Sequence, residues 1–201
     1  MEKDIKNNNY VKNQNPYNKL KGYVHNDVLK LHYQYIHLKN LYRQGWLTNI
    51  MGIDAENKVE SDADHCWSVT MLAMSIIQKY QLNLNLEKCM KLAIVHELGE
   101  VYAGDYVPNQ ISKEEKHLLE EQAVDNLLNE ANFANNFKEL WLEYENQLSE
   151  EAKFIKQVDK LEPIIQTVAY GVKPKEFFKD DAITLPYLRE ILDEVYELAE
   201  M

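Results

Sequence analysis

Apolar residues recur three and four positions apart along most of this chain, a spacing that places them on one face of an α-helix. The first such stripe predicts a helix that begins at Asn26 and ends at Gly45, followed by a connecting loop over residues 47–60. Its apolar positions are Val28, Leu31, Tyr35, Leu38 and Tyr42. Strand-like alternation is weak throughout, and no internal repeat is visible. The pattern therefore predicts an all-α fold.

Six further helices are predicted from capping residues, a proline and the same apolar spacing. They run from Ser61 to about Tyr80, from Asn85 to about Tyr102, from Ser112 to about Asn129, over about 134–147, from Ser149 through Tyr170, and from Leu185-Pro186 to the C-terminus. The second of these is apolar on most sides, which predicts a central position. Residues 1–22 are rich in Asn and Lys without any period, so we expect a loosely ordered N-terminal arm ahead of one domain over residues 23–201.

Composition excludes several classes of protein. A length of 201 residues suits one buried core, and no composition break indicates a second domain. No run of about 18 apolar residues indicates a membrane span, and the N-terminus lacks the apolar core of a signal peptide. Two cysteines, Cys66 and Cys89, suit a reducing compartment, so we expect a cytoplasmic protein. The net charge of −11 disfavours binding to polymeric nucleic acid, which requires a basic surface.

The pair His96-Glu97 lies in the otherwise apolar segment 92–99, where each buried polar group costs a few kcal/mol unless something satisfies it. A divalent metal ion would satisfy both side chains. His65 and Asp159, on two other predicted helices, would complete a set of two nitrogens and two carboxylates. Such a set suits Mn²⁺, Fe²⁺, Co²⁺, Zn²⁺ or Ni²⁺, whereas Mg²⁺ prefers oxygen ligands. The candidate is therefore a site for one divalent metal ion.

Two more carboxylates are placed to act beside such a metal. Glu100 follows Glu97 by three residues and so shares its helix face, and Asp105 follows Gly104, where the chain can turn back. Either could orient a water molecule or take its proton. Each residue taken singly also has an ordinary explanation, as a satisfied buried histidine or a solvated carboxylate. Spacing alone leaves the metal site and ordinary packing both open.

The segments 60–65 and 92–105, together with Asp159, resemble the HD-domain phosphohydrolase superfamily, and most of all its 5′-deoxynucleotidase subgroup. Further likeness runs through 113–117, 139–145 and 151–160, so that the resemblance covers roughly residues 30–180. It implies a single-domain HD-type helical bundle that forms homodimers. It also implies hydrolysis of deoxynucleoside 5′-monophosphates, a small-molecule substrate, to deoxynucleoside and phosphate.

The same resemblance implies roles for particular residues. The implied metal ligands are His65, His96, Glu97 and Asp159, the catalytic residues are Glu100 and Asp105, and the substrate contacts are Arg43 to the phosphate and Trp46 beside the sugar. Two positions depart from the family pattern: Glu97 replaces the usual Asp, and Thr48-Asn49 stands where many relatives carry Arg-Asn. Two alternatives stay open, namely hydrolysis of a cyclic nucleotide or nucleoside triphosphate, and a non-catalytic protein that binds nucleotide or metal.

Overall fold

The computed structural model describes residues 2–3, 9–47, 59–107, 110–129, 131–174 and 180–200. Two-residue strands, β1 (Glu2–Lys3) and β2 (Tyr10–Val11), form a small antiparallel pair. The helices are α1 (Tyr17–Leu20), α2 (Asp27–Tyr35), α3 (Gln44–Leu47), α4 (Asp62–Tyr80), α5 (Leu86–Val95), α6 (Glu100–Ala103), α7 (Lys113–Leu128), α8 (Asn135–Glu145), α9 (Glu150–Ala169) and α10 (Pro186–Leu198). Turns of 3₁₀-helix cover Ile36–Lys39 and Asn132–Ala134. The predicted all-α fold is confirmed.

Five of the predicted helix starts are confirmed by their capping hydrogen bonds, and the first is that of Asn26, whose Oδ1 accepts from the Leu29 backbone N–H. Ser61 and Asp64 form a reciprocal box, in which Ser61 Oγ accepts from the Asp64 backbone N–H and Asp64 Oδ2 accepts from the Ser61 N–H. The side chains of Asn85, Ser112 and Ser149 each accept a hydrogen bond from a backbone N–H three residues later. Each bond satisfies one of the donors that a helix leaves unpaired at its N-terminus.

The predicted helix from Asn26 to Gly45 is wrong in its second half. Helix α2 ends at Tyr35, and after the 3₁₀ turn the backbone is extended at Leu41 and Tyr42, which form bridges to Val11 and Ser61. This extended stretch buries Leu41 completely, so tertiary pairing outweighs the local helical spacing. Gly45, predicted to end the helix, lies instead inside the short helix α3.

The predicted helix from Leu86 to about Tyr102 is also interrupted. Helix α5 ends at Val95, residues 96–99 form turns, and α6 begins at Glu100. Close packing requires glycine within these turns, because a Cβ on Gly99 would lie 2.7 Å from the Glu120 Cβ of α7. His96 keeps helical backbone angles, and i→i+3 hydrogen bonds from Leu98 to Val95 and from Glu100 to Glu97 tighten the chain into 3₁₀-like turns. The side chains of His96 and Glu97 therefore still diverge by about 100–120°.

Helix α5 lies between two apolar cores. One is formed mainly by α4, α5, α9 and α10, and the other by α2, the end of α5, α6, α7 and α8. The predicted central position of this segment is thereby confirmed, although Ile94 is half exposed. The polar turn after α5 falls where the two cores meet. Among the described residues, no helix is both long and apolar enough to cross a membrane.

The described part of the predicted N-terminal arm, residues 9–22, packs against the domain. Val11 and Tyr17 are buried, and Val11 bridges to Leu41. The loose order predicted for the arm stays a prediction. The division of the chain at residue 22 stays a prediction.

Candidate active site

The structure brings the four predicted metal ligands together from two helices and the turn that follows a third. His65 lies in the first turn of α4, His96 and Glu97 follow α5, and Asp159 lies in the middle of α9. One donor atom from each lies within 4.8 Å of the others. His65 Nε2 lies 3.0 Å from Asp159 Oδ1 and 3.7 Å from Glu97 Oε1, and His96 Nε2 lies 3.6 Å and 3.4 Å from the same two atoms.

Hydrogen bonds on the outer side of each imidazole orient both rings. His65 Nδ1 lies 2.8 Å from Glu162 Oε2, and His96 Nδ1 lies 2.8 Å from the carbonyl oxygen of Ala93. When each Nδ1–H donates to these acceptors, both Nε2 lone pairs face the space between the carboxylates. His96 Nε2 is buried and forms no hydrogen bond within the described part of the chain. A buried acceptor of this kind indicates a missing partner.

The two carboxylates are held by different kinds of contact. The Tyr144 hydroxyl donates at 2.6 Å to Asp159 Oδ2, while Oδ1 contacts the imidazoles. Arg43 Nη1 donates at 2.6 Å to Glu97 Oε1, the same oxygen that contacts both imidazoles. Burial by itself raises the pKa of both carboxyl groups, but nearby positive charge and hydrogen bonds outweigh it and hold both pKa values well below the usual range. Both groups are therefore anionic at neutral pH.

The site also favours positive charge at its centre. Burial lowers the pKa of His65, but the hydrogen bonds to Asp159 and Glu162 outweigh it and raise that pKa. Donor atoms bound 2.0–2.2 Å from one cation at angles of 90–110° would lie about 2.8–3.6 Å apart. The four nitrogen-to-oxygen separations of 3.0–3.7 Å are within about 0.1 Å of that range. The residues present therefore fit a divalent cation.

A second group of buried carboxylates adjoins the first. Asp62, Glu100 and Asp105 each place one oxygen atom within 4.8 Å of the others. Neither oxygen of Asp62, nor Glu100 Oε2, hydrogen-bonds to a described residue. Burial and the neighbouring anions Glu97 and Asp105 raise the pKa of Glu100 well above its usual value, and burial and the same two anions do so for Asp62. This group could take up protons or a further cation.

Lys116 of α7 supplies positive charge to this second group. Its Nζ lies 3.2 Å from Glu100 Oε1 and 3.1 Å from Glu120 Oε1. Burial lowers the pKa of Lys116, but the two carboxylates outweigh this effect and raise the pKa well above its usual value. Lys116 is therefore a permanent cation that holds one oxygen of Glu100 and leaves the other free.

Arg43 and Trp46, the two predicted substrate contacts, lie in different surroundings. The guanidinium of Arg43 lies among the carboxylates, bonded to Glu97 and within the field of Asp105. Trp46 lies in the following helix, is only 3% exposed, and donates its indole N–H to Glu60 Oε1 at 2.8 Å. Its ring packs edge-on against Tyr170. The predicted sugar contact of Trp46 stays a prediction, and Thr48-Asn49 lies outside the described residues.

Sequence reasoning missed several side chains that complete the site. They are Asp62, Lys116, Tyr144 and Glu162. Asp62 and Glu162 each stand three residues from a predicted ligand on the same helix, a spacing that places both side chains on one face. That spacing could have identified them. The hydroxyl contact of Tyr144 with Asp159 depends on how α8 packs against α9, which no local spacing indicates.

Comparison with known proteins identifies similar sequences and a similar fold. A family model described as HD domain matches residues 36–189. The protein 5′-deoxynucleotidase hdd1 of Schizosaccharomyces pombe is 40% identical over 143 residues, which are 68% of this chain and 68% of that protein. The 5′-deoxynucleotidase HDDC2 of Xenopus laevis is 33% identical over 171 residues, or 80% of this chain and 81% of that one. The crystal structure of the PH0347 protein from Pyrococcus horikoshii OT3 superposes with a TM-score of 0.67 at 28% identity, covering 85% of this chain and 99% of that chain.

Proposed function

This chain belongs to the HD domain family, and on that premise we propose that it is a metal-dependent 5′-deoxynucleotidase. It hydrolyses deoxynucleoside 5′-monophosphates to deoxynucleoside and inorganic phosphate. The observation that carries the proposal is the convergence of His65, His96, Glu97 and Asp159 from distant parts of the chain. A homodimeric state and a cytoplasmic location stay predictions.

We assign one divalent cation to these four side chains, held by Nε2 of each histidine and by the carboxylates of Glu97 and Asp159. The two nitrogen donors favour Mn²⁺, Co²⁺, Fe²⁺, Zn²⁺ or Ni²⁺ over Mg²⁺. When bound, such a cation polarises a phosphoryl oxygen and lowers the pKa of water. Glu162 and Tyr144, which orient His65 and Asp159 from outside, keep the donor atoms aimed inward.

Arg43 is the group that recognises the phosphate. The charges of Glu97 and Asp159 offset those of one divalent cation, so a phosphate dianion that enters beside Glu100 and Asp105 requires a further positive group. Arg43 is permanently charged, and its planar guanidinium can donate two parallel hydrogen bonds to phosphate oxygens. Its position beside Glu97 places this donor next to the cation site.

Glu100 and Asp105 act on the attacking water molecule. Lys116 holds Glu100 Oε1, so Oε2 is the atom that accepts the proton as water attacks phosphorus. Asp105, whose Oδ2 accepts a hydrogen bond from the Gln44 backbone at 2.6 Å, orients that water. The new P–O bond forms as the bond from phosphorus to the 5′-oxygen breaks, and the departing oxygen takes a proton from Glu100 or solvent.

The test is phosphate release from deoxy- and ribonucleoside 5′-monophosphates by chelator-treated protein reconstituted with each metal in turn. We expect release that depends on the metal and favours the 2′-deoxy substrates. His65→Ala should abolish release, whereas His117→Ala, a change outside the site, should retain it. Release only from cyclic nucleotides or nucleoside triphosphates would favour the alternative substrates. No release from any of these compounds would indicate a non-catalytic protein.

A further inference from the structure

The segment formed by residues 9–12 precedes the region that matches the HD domain family, yet it pairs with the stretch of chain that leads to Arg43. Val11 bridges to Leu41, and the Lys12 backbone N–H donates to the Asn40 carbonyl at 2.6 Å. Val11 and Leu41 are both almost fully buried. Residues 9–12 therefore help to fix the stretch of chain that carries Arg43.

Gln44 connects this segment to Asp105. Gln44 Oε1 accepts from the Tyr10 backbone N–H at 2.8 Å, and Gln44 Nε2 donates to the Tyr10 carbonyl at 3.0 Å. The backbone N–H of the same Gln44 donates to Asp105 Oδ2 at 2.6 Å. The side chain of Gln44 is thus fixed by Tyr10, while its backbone fixes the carboxylate of Asp105.

Asn9 holds the backbone of the same residue. Asn9 Nδ2 donates to the Asp105 carbonyl at 2.8 Å, and Asn9 is only 4% exposed. Asp105 needs such support because the chain leaves α6 through Gly104 at φ +85°, a backbone conformation that favours glycine. After this turn, the bonds from Asn9 and Gln44 hold Asp105 at both its carbonyl and its carboxylate.

We propose that residues 9–12 belong to the active site and that Asn9 is a positioning residue for Asp105. The inference rests on the proposed function through the role assigned to Asp105. A catalytic group must be held within about 0.5 Å of its productive position, and a misplacement of 1 Å can cost about a hundredfold in rate. Asn9 acts by fixing the position of Asp105 and does not itself contact the substrate.

The test compares Asn9→Asp with Asn15→Asp. The first change is isosteric and replaces the Nδ2 donor with an oxygen that faces the Asp105 carbonyl. The second adds the same charge to the N-terminal arm, beyond residues 9–12, but keeps its hydrogen bond, because Asn15 acts as an acceptor from the Tyr17 backbone N–H. Both asparagines are buried to the same extent. Asn15→Asp thus controls for added charge and for disturbance of the N-terminal segment.

We expect Asn9→Asp to lower kcat about tenfold, the effect of losing one buried hydrogen bond and displacing a catalytic group. KM and the affinity for Mn²⁺ should stay within about twofold of wild type, and Asn15→Asp should behave like wild type. Amide exchange over residues 41–47 and 100–107 should accelerate in Asn9→Asp alone.

Equal effects of the two changes on kcat and on amide exchange would overturn the inference. Failure of the proposed function is recognised separately, since wild-type protein would then release no phosphate. Amide exchange still decides in that case whether Asn9 positions Asp105. Asn9→Ala and Asn15→Ala repeat the comparison without added charge, so poor folding of one Asp variant does not prevent a decision.

Discussion

Removal of the Lys116 ammonium tests how Glu100 is prepared to accept a proton. Lys116 Nζ lies 3.2 Å from Glu100 Oε1, while Glu100 is almost fully buried and its other oxygen has no hydrogen bond within the described residues. Lys116→Met removes the charge and keeps an unbranched side chain. The anionic form of Glu100 then loses its nearest cation, so the pKa of Glu100 rises.

The size of the expected change in the pKa of Glu100 follows from its contact with Lys116. A hydrogen bond to a charged group contributes about 1.5–3 kcal/mol, and a change of about 1.4 kcal/mol alters an equilibrium tenfold. The Lys116 side chain is 34% exposed, so solvent screening favours the lower end of that range. Below the pKa of Glu100 we therefore expect kcat/KM to fall about tenfold. As the pH rises through the higher pKa, the difference from wild type should shrink.

The assay is the pH dependence of kcat/KM at saturating metal, which reports groups of the free enzyme. If ionised Glu100 accepts the proton, activity is lost as pH falls, and this acidic limb should lie at higher pH in Lys116→Met than in wild type. Lys116→Arg keeps the charge and should move the limb less. Glu120→Gln removes the second carboxylate on Lys116 and should not move it to higher pH.

An acidic limb that stays in place in Lys116→Met, while kcat falls equally at every pH, would refute the assignment of Glu100 as the proton acceptor. Loss of the charge also leaves Glu100 and Glu120 buried without their partner, so the Tm should fall. The rates must therefore be measured well below the Tm of the variant, and a circular dichroism spectrum like that of wild type confirms that it is folded.

Three further outcomes are expected. Arg43→Ala should lower kcat/KM by about 10²–10³-fold, because it removes a charged donor from the transition state. Metal content per chain should fall far less, although Arg43 also holds Glu97, and equal losses of activity and metal would contradict its assignment to phosphate. Glu162→Ala should weaken Mn²⁺ affinity by about 10–100-fold in a chelator competition, since it removes the hydrogen bond that orients the ring of His65. An unchanged affinity would show that this hydrogen bond is unnecessary for metal binding. Dialysis against EDTA should abolish phosphate release and lower the Tm, and Mn²⁺ should restore both. The Tm changes because a ligand bound to the folded state stabilises it. A Tm insensitive to EDTA and Mn²⁺ would argue against a resident metal.

Local chemistry accounts for the parts of the fold that could be predicted. A capping side chain bonds to a backbone N–H three residues away, so a short segment of sequence is enough to predict where α4, α5, α7 and α9 begin. The two wrong helix boundaries depend on distant partners. The extended backbone at Leu41 pairs with Val11, and the turns at 96–99 pack so closely on Glu120 that only glycine fits at position 99. No local pattern contains those contacts.

The same distinction holds for the site. The residue types suited to binding a metal could be identified from the sequence, because imidazole and carboxylate in an apolar segment need a partner. The groups that orient them follow from packing: Tyr144 reaches Asp159 from α8, and Asn9 reaches Asp105 across 96 positions of sequence. Only the helix spacing of Glu162 could have indicated one of these supports in advance.

The glutamate at position 97 shows how a neighbouring residue accommodates a change of side chain. His96 keeps helical backbone angles, so the backbone places Glu97 at nearly the angle from His96 that a helix would impose. Its longer side chain has one more torsion to restrict than aspartate, and the hydrogen bond from Arg43 at 2.6 Å restricts it. Glu97 Oε1 then lies 3.4 Å from His96 Nε2 and 3.7 Å from His65 Nε2, so the carboxylate still faces both imidazoles. Arg43 therefore has two tasks in this chain, since the cation that we assign to the phosphate also holds the carboxylate in place.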